Sequence, residues 1–150
     1  KMKTIIIDDN KQAVKDLNER LARFSEVEVV AVEHSGLDGL ARVSELQPDL
    51  LFLDVQLPDI SGLDFLERLD SFTHGSCRVV MYTAYDEFVL PAFRKKAFDV
   101  LLKPINDKEL DIIMHRLAEH PPFCQSRNLQ DGTRKSSCRT TASFCSIPIP

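Results

Sequence analysis

Three acidic side chains frame the chemistry open to this chain. Asp8 and Asp9 stand together after an aliphatic run, Thr4–Ile7, and Asp54 stands after a second, Leu50–Leu53. Carboxylates brought close repel one another, so at least one pKa must rise unless a cation joins them. Oxygen-only donors favour a hard divalent ion, Mg²⁺ with Mn²⁺ as its substitute, and Mg²⁺ bound by few carboxylates keeps positions open for phosphate oxygens. An Asp-Asp pair before a helix is, by itself, more often a helix cap. Asp54 at a second strand end moves the reading toward a metal and phosphoryl site. Thr83 and Lys103 end two further runs. The Thr83 hydroxyl and the Ala84 N–H suit a phosphoryl oxygen, and the Lys103 ammonium suits Asp54 and then the phosphoryl group. Alone, such a Thr is usually structural and such a Lys usually solvated. The joint placement is the signal.

The elements that must position these groups are legible. Runs at Thr4–Ile7, Val27–Glu33, Leu50–Val55, Arg78–Thr83 and Asp99–Leu102 predict strands. Several are apolar almost throughout, which marks strands covered on both faces of a parallel sheet. Helical spacing falls between them: Val14, Leu17 and Leu21; Leu37, Leu40 and Ala41; Leu63 and Leu66 after Gly62; Leu110, Ile113 and Leu117. Asn10 and Asn106 stand as N-caps, and Pro121-Pro122 as a stop. Strand alternating with helix predicts an α/β fold, a doubly wound five-stranded parallel sheet. In the order 2-1-3-4-5 the first and third strands are neighbours, so the three acids converge at the carboxyl edge, where such sheets bind ligands. Phe88, Val89, Ala92 and Phe93 suggest one more helix before the fifth strand. Pro91 inside it would cost about 3 kcal/mol, so the helix is expected to begin late, with Pro91 in its first turn.

Composition limits the alternatives. The 150 residues are 43% hydrophobic and 28% charged, with net charge −4. Nothing in that balance suggests a nucleic-acid surface in the bulk of the chain. Residues 1–120 carry 15 Lys and Arg against 22 Asp and Glu, while residues 121–150 carry 4 against 1. The division predicts a domain over 2–120 and a linker, truncated or non-native tail over 121–150. Cys77 alone lies in the body and reads as a reduced core thiol; no C-x-x-C pair supports zinc. No signal peptide or membrane-length apolar stretch occurs, so a cytoplasmic location is expected.

Four segments, IIIDDN (5–10), LFLDVQLPDISGLDFL (51–66), MYTAYDEF (81–88) and FDVLLKP (98–104), together resemble the receiver domain of bacterial two-component response regulators. The resemblance implies a flavodoxin-like fold and a phosphoacceptor, Asp54, served by a sensor histidine kinase. It implies Mg²⁺ bound by Asp9, Asp54 and the backbone carbonyl of Gln56, with Asp8 acting through water. Thr83 and Lys103 would take phosphoryl oxygens, Pro58 and Gly62 would shape the loop after Asp54, and Pro104 would follow Lys103 in a cis peptide. Val100 departs from the family, where Tyr or Phe is common, and Pro91 is also unusual. Both fall in the usual signalling region, so a loop and helix shift is expected in place of an aromatic rotamer switch. TAYDEFVLPAF further resembles receivers joined to LytTR-type DNA-binding domains, so DNA contact would need an output domain that these residues do not include. A homodimer through the face of the fourth helix, fifth strand and fifth helix is also expected.

Two other functions compete. A Mg²⁺-dependent phosphohydrolase of similar topology would carry a second Asp two residues after the nucleophile, where this chain has Gln56. A phosphorylation-independent interaction module would not require the full set of acids with Thr83 and Lys103. The expectation is therefore a signalling domain and not an enzyme.

Overall fold

A computed structural model describes residues 1–73, 77–84, 91 and 97–119. The aliphatic runs form β1 (Met2–Ile7), β2 (Val27–Glu33), β3 (Leu50–Leu53), β4 (Arg78–Thr83) and β5 (Asp99–Leu102). Among the described residues they make one parallel sheet in the order β2-β1-β3-β4-β5. The order is the expected one, and burial explains the sequence pattern. Central β3 is buried at all four positions, whereas edge strand β2 is half-buried along most of its length. A strand covered on both faces has no solvent side on which to place polar residues.

Helices α1 (Lys11–Leu21), α2 (Gly36–Leu46), α3 (Gly62–Arg68) and α4 (Asp107–Glu119) fill the intervals. The expected caps are present. The Asn10 side chain accepts N–H bonds from Gln12 and Ala13, and that of Asn106 accepts from Lys108 and Glu109. Each satisfies donors that the first turn leaves open. Val14, Leu17 and Leu21 form the buried stripe of α1, each worth about 1.5–3 kcal/mol when removed from water. Helix α2 departs from the expected stripe. Leu37 is 54% exposed and Ala41 is exposed, and the buried face is Gly36, Gly39, Leu40 and Val43. The cause is close packing: a Cβ on Gly39 would lie 2.4 Å from Ile7 Cδ1. Glycine at that place lets the helix approach the sheet, and an apolarity count cannot register it.

Residues Lys1–Arg116 form one compact unit, and its core joins Ile5 and Ile7 of β1, Leu51 and Leu53 of β3, Val79 and Met81 of β4, and Phe65 of α3. Of the second unit, Leu117–Pro150, only the end of α4 is described. The expected helix around Phe88–Phe93 lies outside the described residues apart from Pro91, which is helical and half-buried. The tail over 121–150 also lies outside them. Cys77 is half-buried against the core, its thiol pushed up to about 12 chiefly by burial, so it stays protonated near neutral pH. No helix among the described residues is long and apolar enough to cross a membrane.

Gly62 closes the loop after β3, its N–H donating to the Val55 carbonyl at 2.6 Å. A Cβ there would meet the Asp54 carbonyl oxygen at 2.3 Å and Val55 Cα at 2.7 Å, both backbone atoms that cannot swing aside. Gly62→Ala is therefore expected to lower unfolding free energy by about 2 kcal/mol or more, against less than about 0.5 kcal/mol for Leu37→Ala on the exposed side of α2. Urea titration of the two variants checks this, and equal midpoints would contradict the close approach.

Candidate functional site

Parallel pairing of β1 with β3 brings the acids together. Ile7 pairs with Leu53, and the ladder continues one residue further, with the Asp54 N–H donating to the Ile7 carbonyl at 3.0 Å. Asp8 and Asp54 therefore leave adjacent strands at the same edge. One carboxylate oxygen from each of Asp8, Asp9 and Asp54 lies within 4.8 Å of the other two. Asp8 is fully buried, Asp54 is nearly so and Asp9 is exposed. The local backbone orients Asp8, whose Oδ1 accepts the Asn10 N–H at 2.9 Å.

Lys103 arrives from the far side of the sheet. Its N–H donates to the Thr83 carbonyl at 2.8 Å, which places the residue beside the end of β4. From there Nζ reaches Asp8 Oδ2 at 2.7 Å and Asp54 Oδ2 at 3.5 Å. The Lys103–Pro104 peptide is cis, as expected. One ammonium does not offset two buried carboxylates. Asp54 is pushed up to about 6, first by burial and then by the Asp8 charge, against the opposing pull of Lys103 and the Gln56 N–H. These donors suit a hard divalent cation, because three carboxylates held this close carry more negative charge than Lys103 cancels.

A cleft of about 220 Å³ opens over the acids, lined by Asp9, Asn10, Asp54, Gln56, Ala84 and Lys103. Asp9, Asp54, Gln56, Ala84 and Lys103 thus meet as the sequence reading expects. Asp8 and Thr83 are buried and do not line the cleft. Thr83 does end β4, one residue before Ala84. Val100 is half-buried against the core, Pro58 is exposed on the loop after Asp54, and Pro104 is exposed beyond Lys103.

Three residues around the site had no signal in the sequence reading. Asp59 pins the loop after Asp54 to α2: its carboxylate accepts N–H bonds from Gly36 and Leu37 at 2.8 Å each, and from Ile60 at 2.9 Å. Those bonds, the Leu37 one foremost, hold its pKa below the ordinary value. His34 Nδ1 lies 2.9 Å from the Asp8 carbonyl oxygen. Tyr82 places its ring under Lys103, 4.8 Å from Nζ to the ring centroid. An Asp beside Pro in a loop reads as a turn, and a Tyr in an apolar strand reads as core, so neither announces its contact.

A five-stranded parallel sheet in this order, with an acidic cleft and a lysine at its carboxyl edge, defines the receiver class of doubly wound domains. Comparison with known proteins agrees: the response regulator receiver domain profile covers residues 4–115, and the chain belongs to that family, a module of two-component signalling. A response regulatory protein of Vibrio cholerae is 40% identical over 116 residues, 77% of this chain and 48% of that protein. The transcriptional regulatory protein BtsR of Escherichia coli is 38% identical over 130 residues, 87% of this chain and 51% of that one. The chain thus spans about half the length of these relatives. The response regulatory domain of mrkE from Klebsiella pneumoniae superposes with TM-score 0.72 at 30% identity, covering 79% of this chain and 96% of that domain.

The raised Asp54 makes stability depend on pH. Between about pH 4 and about 6 the unfolded chain has lost this proton while the folded chain keeps it, so stability falls as pH rises through that window. Asp54→Asn should remove the slope and, without divalent cations, raise unfolding free energy at about pH 8 by about 1–3 kcal/mol. Urea unfolding at both ends of the window measures it. Lys103→Met should do the opposite, lowering stability by about 3 kcal/mol because Asp8 and Asp54 lose their buried counter-charge. Thermal melts should show Mg²⁺ restoring more of that loss than it adds to the wild type.

Proposed function

We propose that this domain accepts a phosphoryl group on Asp54 from the phosphohistidine of a sensor kinase, and passes the signal on by conformational change. The observation that carries the reading is the convergence of Asp8, Asp9 and Asp54 within 4.8 Å, with Lys103 Nζ reaching into the same cluster. In the transfer an Asp54 carboxylate oxygen attacks phosphorus, the P–N bond to imidazole breaks and a P–O bond to Asp54 forms. Asp9, Asp54 and the Gln56 carbonyl would hold Mg²⁺, with Asp8 acting through water. Bound Mg²⁺ supplies positive charge toward the phosphoryl oxygens. Lys103 supplies a second positive charge, the Ala84 N–H supplies a donor, the buried Thr83 hydroxyl would supply another by moving toward the phosphoryl oxygen, and the cleft between Asn10, Gln56 and Ala84 fixes the approach. Catalysis of this kind is positioning plus charge neutralisation. A domain that does only this is a signalling partner and not an enzyme with turnover of its own.

Output is proposed from the relatives. The name of BtsR makes that protein a transcriptional regulator. In this reading the parent of this chain also controls transcription, through a DNA-binding portion beyond the receiver, of LytTR type. Pairing of two receivers through the face that includes β5 and α4 would couple phosphorylation to DNA binding. The protein would work in the cytoplasm, where kinase and DNA are both present.

Incubation with acetyl phosphate and Mg²⁺, followed by intact-mass measurement, tests the central claim. The wild type should gain one phosphoryl group, Asp54→Asn should gain none, and chelation of Mg²⁺ should suppress the gain. Rapid release of phosphate with no covalent adduct would point to hydrolase chemistry instead. An unchanged mass under all conditions would refute phosphoryl acceptance.

A further inference from the structure

Lys103 has a long, flexible stem and a strongly hydrated head, so holding its ammonium in a part-buried cleft requires walls. Two walls are the carboxylates of Asp8 and Asp54. The third is the ring of Tyr82, 4.8 Å from Nζ to the centroid and only 1% exposed. We infer that Tyr82 is a positioning residue for the phosphoryl chemistry: its buried ring face keeps the Lys103 ammonium inside the cleft. The inference rests on the phosphoacceptor reading of Asp54.

The geometry supports each part. Tyr82 pairs with Leu101 in the β4–β5 ladder, two residues before Lys103. The ring therefore lies close to the lysine stem along the same pair of strands. Its hydroxyl donates to the Ala13 carbonyl of α1 at 3.1 Å, tying the far end of the ring to a rigid helix. Burial of the ring strengthens the contact over a surface cation–π pair, because water is excluded from the ring face while the ammonium is only part-exposed. The ring also attracts the ammonium without using any of its three N–H donors. Those donors remain free to serve Asp8, Asp54 and the oxygens of an incoming phosphoryl group. A carboxylate wall lacks this property, since its hold weakens when its charge is met by a divalent cation or by esterification. The ring is neutral throughout, so its attraction persists across the transfer.

The test compares Tyr82→Phe, which keeps the ring, with Tyr82→Leu, which removes it. The maximal rate of acetyl phosphate labelling is measured at saturating Mg²⁺ and normalised to folded protein. Tyr82→Leu should slow labelling by about three- to ten-fold, with Tyr82→Phe within about two-fold of wild type and the Mg²⁺ dependence unchanged in both. A purely structural tyrosine would lower the melting temperature without slowing labelling of the folded fraction. Wild-type labelling matched by folded Tyr82→Leu would overturn the positioning role alone. Failure of the wild type to label would overturn the phosphoacceptor reading, and this inference with it. Proton NMR provides an arm that survives misfolding of Tyr82→Leu. The Lys103 ε-methylene resonances, assigned by their loss in Lys103→Arg, should lie upfield of those of the other lysines in wild type and Tyr82→Phe. Their coincidence with the other lysines in wild type would remove the ring contact and the proposal.

Discussion

Two buried carboxylates on neighbouring strands, sharing one ammonium, set the terms for the rest of this molecule. Asp8 and Asp54 leave β1 and β3 at the same edge, and Lys103 reaches both from the end of β5. Charges so placed are costly to remove from water, and a single lysine does not offset the pair. The raised Asp54 pKa is the visible residue of that imbalance. A fold would not gain stability from this arrangement. In the proposed function its use lies in being unfinished: the site would attract further positive charge and would take a group that changes the charge on Asp54.

The surrounding structure keeps that unfavourable cluster in place. The cap at Asn10 holds the chain after β1, and the Asn10 N–H fixes Asp8 Oδ1. On the other side, Asp59 joins the loop after Asp54 to the first turn of α2, where its charge also meets the positive end of the helix. Gly62 brings that loop against the backbone of Asp54 and Val55. The loop that follows Asp54 is therefore tied at three places, to α2, to β3 and to α3.

The opposite flank is built from β4 and β5. Thr83, Tyr82 and Lys103 form a small unit there: backbone bonding joins Thr83 to Lys103, and the ring of Tyr82 lies against the ammonium. Through the Tyr82 hydroxyl this unit also touches α1, whose Arg20 pairs with Asp107 at the start of α4. Val100, where the family often carries an aromatic residue, packs half-buried on the core. Among the described residues, the aromatic ring against the lysine is that of Tyr82, on β4.

The sheet order came with the receiver resemblance; the sequence by itself determined the strands and the placement of Asp8, Asp9, Asp54 and Lys103 at strand ends. Those features rest on local rules: a doubly covered strand needs an unbroken apolar run, a cap needs an Asn, and a doubly wound sheet collects its functional groups at one edge. Tertiary structure alone decided the rest, because it depends on distances between residues far apart in the chain. The buried face of α2 follows from glycines that admit close packing, and apolar spacing misplaced it onto Leu37 and Ala41. The Asp59 clamp spans 22 and 23 residues, and the Tyr82 hydroxyl bond spans 69. Residue type announces what a side chain can bond to, but only the packed fold determines which partner comes within reach.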